Sequence, residues 1–332
     1  MKYIIFIISL IMLSCEGPPR RNEVRRVEDF ATPATEESGE EEYIMITTAI
    51  NLPLYVRHEQ KAFLEWGKKM NVKTSILGPS EWDIPAQIET IEQVLAGKPS
   101  GLLINGTDPG MAQAIKKAVK MGIPTVVYDS EIKGSGRHCF IGSDWYEMGR
   151  LQGERMAKLI HGKGKVACMG ILGMENMEAG FKGFQDALKK FPQIEFIGKY
   201  DDKANVEVAA RITSDLLVAH PDLTGVAGFD SNSGPGMAIA IKENGKSGTV
   251  ILTSVDAEPE HLRLVKEGVI QYLVGQKREL FSYLGAEFLY QLRHKSLSLS
   301  LNDAKAGVTA IPDFVNTGVI EIDKSNVDLF NK

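Results

Sequence analysis

From residue 43 onward, short apolar runs alternate with amphipathic stretches, and this rhythm constrains the fold more than any other feature. Between two apolar runs, Ile84, Ile88, Ile91 and Leu95 recur at helical spacing. Strands that alternate with helices predict a parallel sheet with helices on both faces. The sequence therefore predicts an α/β fold.

The rhythm occurs twice, because it restarts after about residue 143. The predicted strands are Tyr43–Thr48, Val72–Leu77, Gly101–Ile104 and Thr125–Tyr128 in the first half and Lys165–Gly170, Ile194–Gly198, Gly225–Gly228, Thr249–Ser254 and Val269–Val274 in the second. The segments Ile123–Asp129 and Val250–Asp256 are both apolar and both end in aspartate. Two similar halves predict two doubly wound lobes with a cleft between them.

Polar side chains follow the predicted strands in both halves. Ligands of open α/β sheets bind beyond the carboxyl ends of the strands, so these positions are the candidates for ligand binding. They are Asn51, Tyr55, Asn105, Asp129, Ser130, Asp230, Asp256 and Gln276. Carboxylates and amides form hydrogen bonds with hydroxyl groups, and an aromatic ring packs against C–H groups. The set predicts a small polyhydroxylated ligand, either a sugar or a polyol.

Some of these residues have a structural alternative. Asp108 precedes Pro109 at the start of a predicted helix, and we expect it to be the helix cap. Asp129 is expected to face the pocket, although an aspartate at a strand end also forms turns. Asn105 could instead satisfy loop backbone, and Asp230 and Asp256 have similar alternatives. The prediction therefore depends on the set rather than on any one member.

The N-terminus is typical of a secretory signal peptide. Lys2 is followed by the apolar run Tyr3–Leu13, about half as long as a membrane-spanning helix requires. The Ser14-Cys15 ending resembles the lipobox of bacterial lipoproteins, which predicts lipidation of Cys15; an ordinary cleaved signal is the alternative. Residues 1–15 are thus the predicted signal peptide. Residues 16–42, with Pro18-Pro19 and an acidic end, predict a disordered tether.

Several function classes are excluded by the sequence. A net charge of −5 without a long basic block argues against nucleic-acid binding. The six histidines are scattered without metal-ligand spacing, and neither a Gly-Lys-Ser/Thr phosphate loop nor a Gly-x-Ser-x-Gly motif is present. We therefore expect a binding protein without a cofactor rather than an enzyme. Cys139 and Cys168 are expected to be buried thiols, with a disulfide as the alternative.

Over about residues 43–322, the chain resembles periplasmic binding proteins of the ribose-binding type. The motifs that carry the resemblance are Gly101–Asp108, Gly122–Ser130, Ile141–Asp144, Leu216–Asp222, Ser254–Pro259 and Gly268–Ile270. The resemblance implies two lobes joined by three hinge crossings, near 142–144, 275–278 and 304–308. The first lobe would then be 43–142 plus 276–304, and the second 143–275 plus 305–332.

The resemblance also implies roles for particular residues. Tyr55, Asn105, Asp129, Asp230, Asp256 and Gln276 match positions that contact ligand in the family. Ser130 and Gly180 stand where the family's ribose binders have arginines. The ligand is therefore expected to be another pentose, a hexose, a polyol or an amine-bearing compound. Trp82, Trp145 and Glu178 are further candidates for the cleft.

A family member of this kind delivers its ligand to an ABC-type import permease. The alternative is a ligand sensor that acts on a chemoreceptor or a sensor kinase. A transcriptional regulator is excluded, because residues 1–42 carry a secretion signal and no helix-turn-helix. We expect a monomer in the periplasm or at the cell surface, anchored to a membrane through Cys15.

Overall fold

The computed structural model describes residues 41–330. The predicted signal peptide, Cys15 and residues 16–40 of the predicted tether lie outside the described residues. The last two residues assigned to the tether belong to the folded body instead, because Glu42 begins the first strand and Glu41 accepts the Lys73 N–H. Within residues 41–330, no helix combines the length and apolarity needed to cross a bilayer.

The first lobe is built on a six-stranded parallel sheet in the order β11-β5-β4-β3-β1-β2. Its strands are β1 Glu42–Ile46, β2 Lys73–Leu77, β3 Gly101–Gly106, β4 Thr125–Asp129, β5 Cys139–Gly142 and β11 Phe314–Asn316. Its helices are α1 Pro53–Tyr55, the π-helical segment Val56–Gln60, α2 Lys61–Met70, α3 Ile84–Val94, α4 Ala112–Lys120, α10 Arg278–His294 and the short α11 Asp303–Ala306, with 3-10 turns at Leu95–Gly97 and Pro109–Met111.

The second lobe contains a sheet in the order β12-β10-β9-β8-β6-β7, in which only β12 is antiparallel to its neighbour. Its strands are β6 Lys163–Gly170, β7 Gln193–Asp201, β8 Leu223–Gly228, β9 Ile251–Val255, β10 Tyr272–Gln276 and β12 Val319–Ile322. Its helices are α5 Trp145–Leu159, α6 Glu175–Leu188, α7 Val206–Ala219, α8 Ser233–Glu243 and α9 Pro259–Lys266, with a 3-10 turn at Val327–Phe330.

The chain passes between the two sheets after β5, after β10 and after β11. The predicted fold class, two doubly wound lobes joined by three connections, is confirmed. The third crossing predicted at 304–308 is wrong. Residues 314–316 pair in parallel with β5, Phe314 with Phe140 and Asn316 with Gly142, so the chain remains in the first lobe until β12.

Apolar residues fill both faces of each sheet. The core of the first lobe includes the fully buried side chains Tyr43, Trp66 and Phe281. Phe281 belongs to α10, which follows the second crossing and covers one face of the sheet. Trp66 lies in this core, where its indole N–H donates to Glu287. Cys139 and Cys168 are free, buried thiols on different sheets.

Candidate functional site

A cavity of about 760 Å³ lies at the carboxyl ends of strands from both lobes. The first lobe contributes residues 51–55, the loop 80–82, Asp129 and Arg278. The second lobe contributes Trp145, residues 230–232, Asp256 and Gln276. Of the eight residues predicted for the site, the structure places six at this cavity: Asn51, Tyr55, Asp129, Asp230, Asp256 and Gln276.

Asp129 and Asp256 occupy equivalent positions in the two lobes, one at the end of β4 and one directly after β9. Both have a left-handed backbone, with φ of 75° and 67°. The Ser130 N–H donates to the Tyr128 carbonyl at 3.1 Å and closes a tight turn around Asp129. Non-glycine residues in this region are uncommon and concentrate at functional sites. Both residues reach the cavity beyond the ends of their strands.

Arg278 joins the pocket residues into one network and was missed by sequence reasoning. Its guanidinium donates to Glu59 Oε1 at 2.6 Å, to Gln276 Oε1 at 2.7 Å and to Asp129 Oδ2 at 3.0 Å. It also lies over the Tyr55 ring, 5.5 Å from its centroid. The predicted loss of pocket arginines at 130 and 180 is thus offset by an arginine from the first turn of α10.

Burial sets the protonation of the acidic groups around this arginine. Burial raises the pKa of Glu59 to about 7, although the Arg278 charge and hydrogen bond oppose the shift. Burial likewise raises the pKa of Asp256 to about 6, again against the attraction of Arg278. The pocket floor therefore combines one permanent cation with carboxyl groups that take up protons more readily than exposed ones.

Four buried polar atoms of the cavity residues have no hydrogen-bond partner within the described protein. They are Asp129 Oδ1, Asp256 Oδ1, Gln276 Nε2 and Trp145 Nε1. A buried polar atom without a partner costs about 1–3 kcal/mol, so such groups are normally paired. Two acceptors and two donors from both lobes thus remain available to a ligand that offers hydroxyl groups.

Asn105 and Ser130 do not line the cavity. Asn105 is fully buried behind Asp129, where its Nδ2 lies 3.4 Å from Asp129 Oδ2. Thr48 Oγ1 lies 2.8 Å from Asn105 Oδ1, and Gln87 Nε2 donates to the Asn105 carbonyl at 2.8 Å. Asn105 therefore orients Asp129, and Ser130 contributes its backbone to the Asp129 turn.

Asp230 reaches the cavity, but its carboxylate is already occupied. Its Oδ1 accepts the N–H groups of Asn232 at 2.8 Å and Ser233 at 3.0 Å, at the start of α8. Its Oδ2 lies 2.8 Å from Ser233 Oγ. Its carboxylate thus fixes the turn that leads into α8, so a structural role describes most of what this side chain does. Asp108 acts as a cap, accepting the Gly110 N–H at 2.7 Å.

One wall of the cavity is apolar. Ile171, Met174 and Met177 from the second lobe line it beside Trp145, and Trp82 lies at the cavity from the first lobe. Glu178, a further sequence candidate, is not a lining residue, because it accepts the Gly173 N–H and pairs with Lys199. The pocket therefore has a polar floor and an apolar wall, which suits a sugar ring with its hydroxyl edge and C–H face.

Two sets of ion pairs connect the lobes beside the cavity. Glu258, at the start of α9, lies 2.7 Å from Arg57 and 2.6 Å from His58 of the π-helical segment. Lys133 of the first lobe pairs with Glu175 at the start of α6. No group of three or more metal-ligating side chains occurs within residues 41–330. The two sides of the cleft are thus in direct contact.

Comparison with known proteins places this cleft in a family. Residues 44–296 match the model of the periplasmic binding protein domain. The D-apiose import binding protein of Paraburkholderia graminis is 26% identical over 51% of this chain, and the match spans 55% of that protein. A sugar-binding protein of a Bacillus halodurans sugar ABC transporter superposes with a TM-score of 0.80 at 30% identity, over 87% of this chain and 99% of that one.

An arabinose-binding protein from Geobacillus stearothermophilus superposes with a TM-score of 0.78 at 31% identity, covering 89% of this chain and 100% of the other. These relatives are binding proteins rather than enzymes, as predicted for this chain. The family match covers both lobes and the cleft between them. The chain therefore belongs to the periplasmic binding protein family.

Proposed function

We propose that this protein captures a small polyhydroxylated ligand, a sugar or polyol, between its lobes and delivers it to an ABC-type import permease. The observation that carries the proposal is that Asp129 of the first lobe and Asp256 of the second lie at the same cavity. Each has a carboxylate oxygen without a hydrogen-bond partner. A hydroxylated ligand that bonds to both aspartates stabilises the closed state, because it contacts both lobes only there.

The polar and apolar surfaces support a neutral sugar over a charged solute. Arg278 is already paired with Glu59 and Asp129, so the unpaired atoms are two carboxylate oxygens, an amide and an indole N–H. Hydroxyl groups both donate and accept hydrogen bonds, and so satisfy all four. The relatives described as binding apiose, arabinose and sugar agree with this choice.

A thermal-shift screen tests the ligand class. Arabinose, xylose, ribose, glucose, galactose, myo-inositol and glucosamine are each added to the wild type and to Asp256→Asn. A ligand at a hundred times its Kd stabilises the folded state by about 2.7 kcal/mol. We expect one or more neutral sugars or polyols to raise the melting temperature of the wild type alone. Stabilisation by none of them, or equal stabilisation of both proteins, would contradict the proposal.

We further propose that Cys15 carries a lipid that anchors the protein outside the cytoplasm. The support is the signal-like Tyr3–Leu13 run followed by Ser14-Cys15. Cys15→Ser is expected to move the protein from the membrane fraction to the soluble fraction of cells. Cys139→Ala, which removes a buried thiol of the body, serves as the matched control and remains with the membrane. Membrane retention of Cys15→Ser would refute lipidation.

Delivery to a permease and signalling to a receptor both begin with a closed, loaded protein. The two differ in the phenotype of a deletion strain. Loss of uptake of the radiolabelled sugar, restored by the wild type but not by Asp256→Asn, supports import. Unchanged uptake with a lost chemotactic or transcriptional response to the same sugar would favour the sensor alternative.

A further inference from the structure

Asp202 and Asp230, two carboxyl groups of the second lobe, are joined by a single hydroxyl group. Ser233 Oγ lies 2.5 Å from Asp202 Oδ2 and 2.8 Å from Asp230 Oδ2. A serine hydroxyl has one hydrogen, so it can donate to only one of the two carboxyl groups. The other short oxygen–oxygen contact requires a second proton, which one of the two carboxyl groups must carry.

The surroundings identify the carboxyl group that holds this proton. Asp230 Oδ1 accepts two backbone N–H groups at the start of α8, where the helix dipole also favours a negative charge. Asp202 is fully buried and accepts one backbone N–H, that of Ala204 at 3.1 Å. Within residues 41–330, the partners of the two carboxyl groups are backbone N–H groups and Ser233, and neither group pairs with a lysine or arginine. Asp202 is therefore the protonated member.

We propose that Asp202 is a positioning residue that keeps its proton at neutral pH and thereby fixes two loops of the ligand pocket. The proton is donated by Asp202 to Ser233 Oγ, and Ser233 in turn donates to Asp230. This inference rests on the sugar-binding function proposed above, because its consequence is a change in ligand affinity. Asp202 itself does not line the cavity.

The two loops meet at this hydrogen-bonded chain. Asp201 at the end of β7 lines the cavity together with Lys203 and Ala204 of the following loop, as do residues 230–232 from the loop after β8. Asn232 Nδ2 donates to the Ala204 carbonyl at 2.6 Å. Lys203 and Ala204 have positive φ values of 56° and 49°. Such backbone is held only where surrounding contacts fix it, and Asp202 supplies one of those contacts.

The arrangement predicts a loss of pocket order in alkaline solution. Burial and the charge of Asp230 raise the pKa of Asp202 to about 8. A carboxyl pKa raised in the folded state stabilises that state fully at acidic pH, and the contribution is lost as pH rises through the raised value. Ionised Asp202 then faces Asp230 with only the Ser233 hydrogen between them, so the two loops separate.

The other titratable groups near the cluster do not reproduce this effect. His261 on α9 is buried beside Gly234, and burial lowers its pKa to about 4, so it is neutral throughout the range. Asp201 and Lys203 flank Asp202 in the chain, and Glu207 is in the first turn of α7. These three side chains are not fully buried and are solvated in either state of Asp202.

Asp202→Asn tests the proposal, because its amide donates to Ser233 and its oxygen accepts the Ala204 N–H without a titrating proton. Asp202→Ala removes the donor, and Asp215→Asn on the exposed face of α7 is the matched control. Hydrogen exchange of the amides 201–205 and 230–234 is compared at pH 6 and pH 9.5, with Kd measured for arabinose or the tightest-binding sugar of the screen.

We expect Asp202→Asn to bind with wild-type affinity at pH 6. Between pH 6 and pH 9.5, the Kd of the wild type should rise about tenfold more than the Kd of Asp202→Asn. Asp202→Ala should lose exchange protection of both loops already at pH 6. An infrared band of a protonated carboxyl group should be present in the wild type at pH 7 and reduced in Asp202→Asn.

Two results would overturn the proposal: damage by Asp202→Asn equal to that by Asp202→Ala, or an identical alkaline decline in Asp202→Asn and the wild type. The exchange and infrared measurements need no ligand. If no sugar binds, these two measurements still decide whether Asp202 holds the proton and orders the two loops.

Discussion

The His58 ring bridges two carboxylates, Glu258 of the second lobe at 2.6 Å and Glu279 of its own lobe at 3.0 Å. Arg57 reaches the other Glu258 oxygen at 2.7 Å. Glu258 follows the pocket residue Asp256 by two positions, and Glu279 follows Arg278 directly. The bridge thus links the segments that supply Asp256 and Arg278 to the pocket, and it exists only while the lobes are together.

Glu258→Gln is expected to weaken ligand binding by about tenfold, because a charged hydrogen bond of this buried side chain contributes about 1.5 kcal/mol or more. Glu258 does not line the cavity, so a loss of ligand affinity in this variant reports weaker closure of the lobes rather than a lost contact with the ligand. Isothermal titration measures it. Glu260→Gln, two residues further on and paired only with Arg263, is the matched control and should bind normally. Equal affinity of both variants would rule out a closing role for Glu258.

The same bridge should respond to pH. Burial opposes the charge of His58, but its hydrogen bonds to Glu258 and Glu279 outweigh burial and raise its pKa to about 9. A raised histidine pKa stabilises the folded state fully below about pH 6.5, and the contribution is lost as pH rises through about 9. The melting temperature of the wild type should therefore fall more steeply over this range than that of His58→Gln.

His220→Gln is the control, because it makes the same substitution at the end of α7, away from the bridge between the lobes. Its melting temperature should follow the wild-type pH profile. If His58→Gln also follows that profile, the bridge does not contribute in this range.

Asp256→Asn should remove an acceptor without disturbing the fold. Its Oδ1 has no partner in the protein, and asparagine tolerates the positive φ of 67° at this position. We expect ligand affinity to fall by about tenfold or more while the melting temperature of the apo protein is unchanged. Wild-type affinity in this variant would show that Asp256 does not contact the ligand.

Arg278→Met should destabilise the apo protein by about 3 kcal/mol, since it leaves the buried Glu59 and the partly buried Asp129 without their cation. Adding Glu59→Gln removes one of the two carboxylates left without a cation and should recover part of the lost free energy of unfolding. Urea unfolding of the two variants and the wild type measures both effects. A double variant no more stable than Arg278→Met would show that the Glu59–Arg278 pair is not the origin of the loss.

The fold and the two key aspartates were predictable for a local reason. Apolar strands that end in Tyr128-Asp129 and Val255-Asp256 are recognisable from neighbouring residues alone, and parallel strands bring their carboxyl ends to one edge. Arg278 gives no such signal, because its partner Glu59 lies 219 positions away in a helix that looks solvent-exposed in sequence.

The end of β7 and the third crossing between the lobes are predicted wrongly because both depend on how strands pair, which neighbouring residues do not reveal. Strand β7 was predicted to end at Gly198, but this glycine accompanies a bulge beside β6, and the strand continues to Asp201. The position of Asp202, directly after the true end of the strand, is therefore not apparent from the sequence. The third crossing is not apparent from the sequence, because β11 has three residues and pairs with a strand about half the chain away.

A crystal structure of the protein with the tightest-binding sugar tests the central claim most directly. The account predicts the sugar between the lobes, with hydroxyl groups bonded to Asp129 of the first lobe and Asp256 of the second. A sugar bound to one lobe alone, or at any other surface, would contradict it.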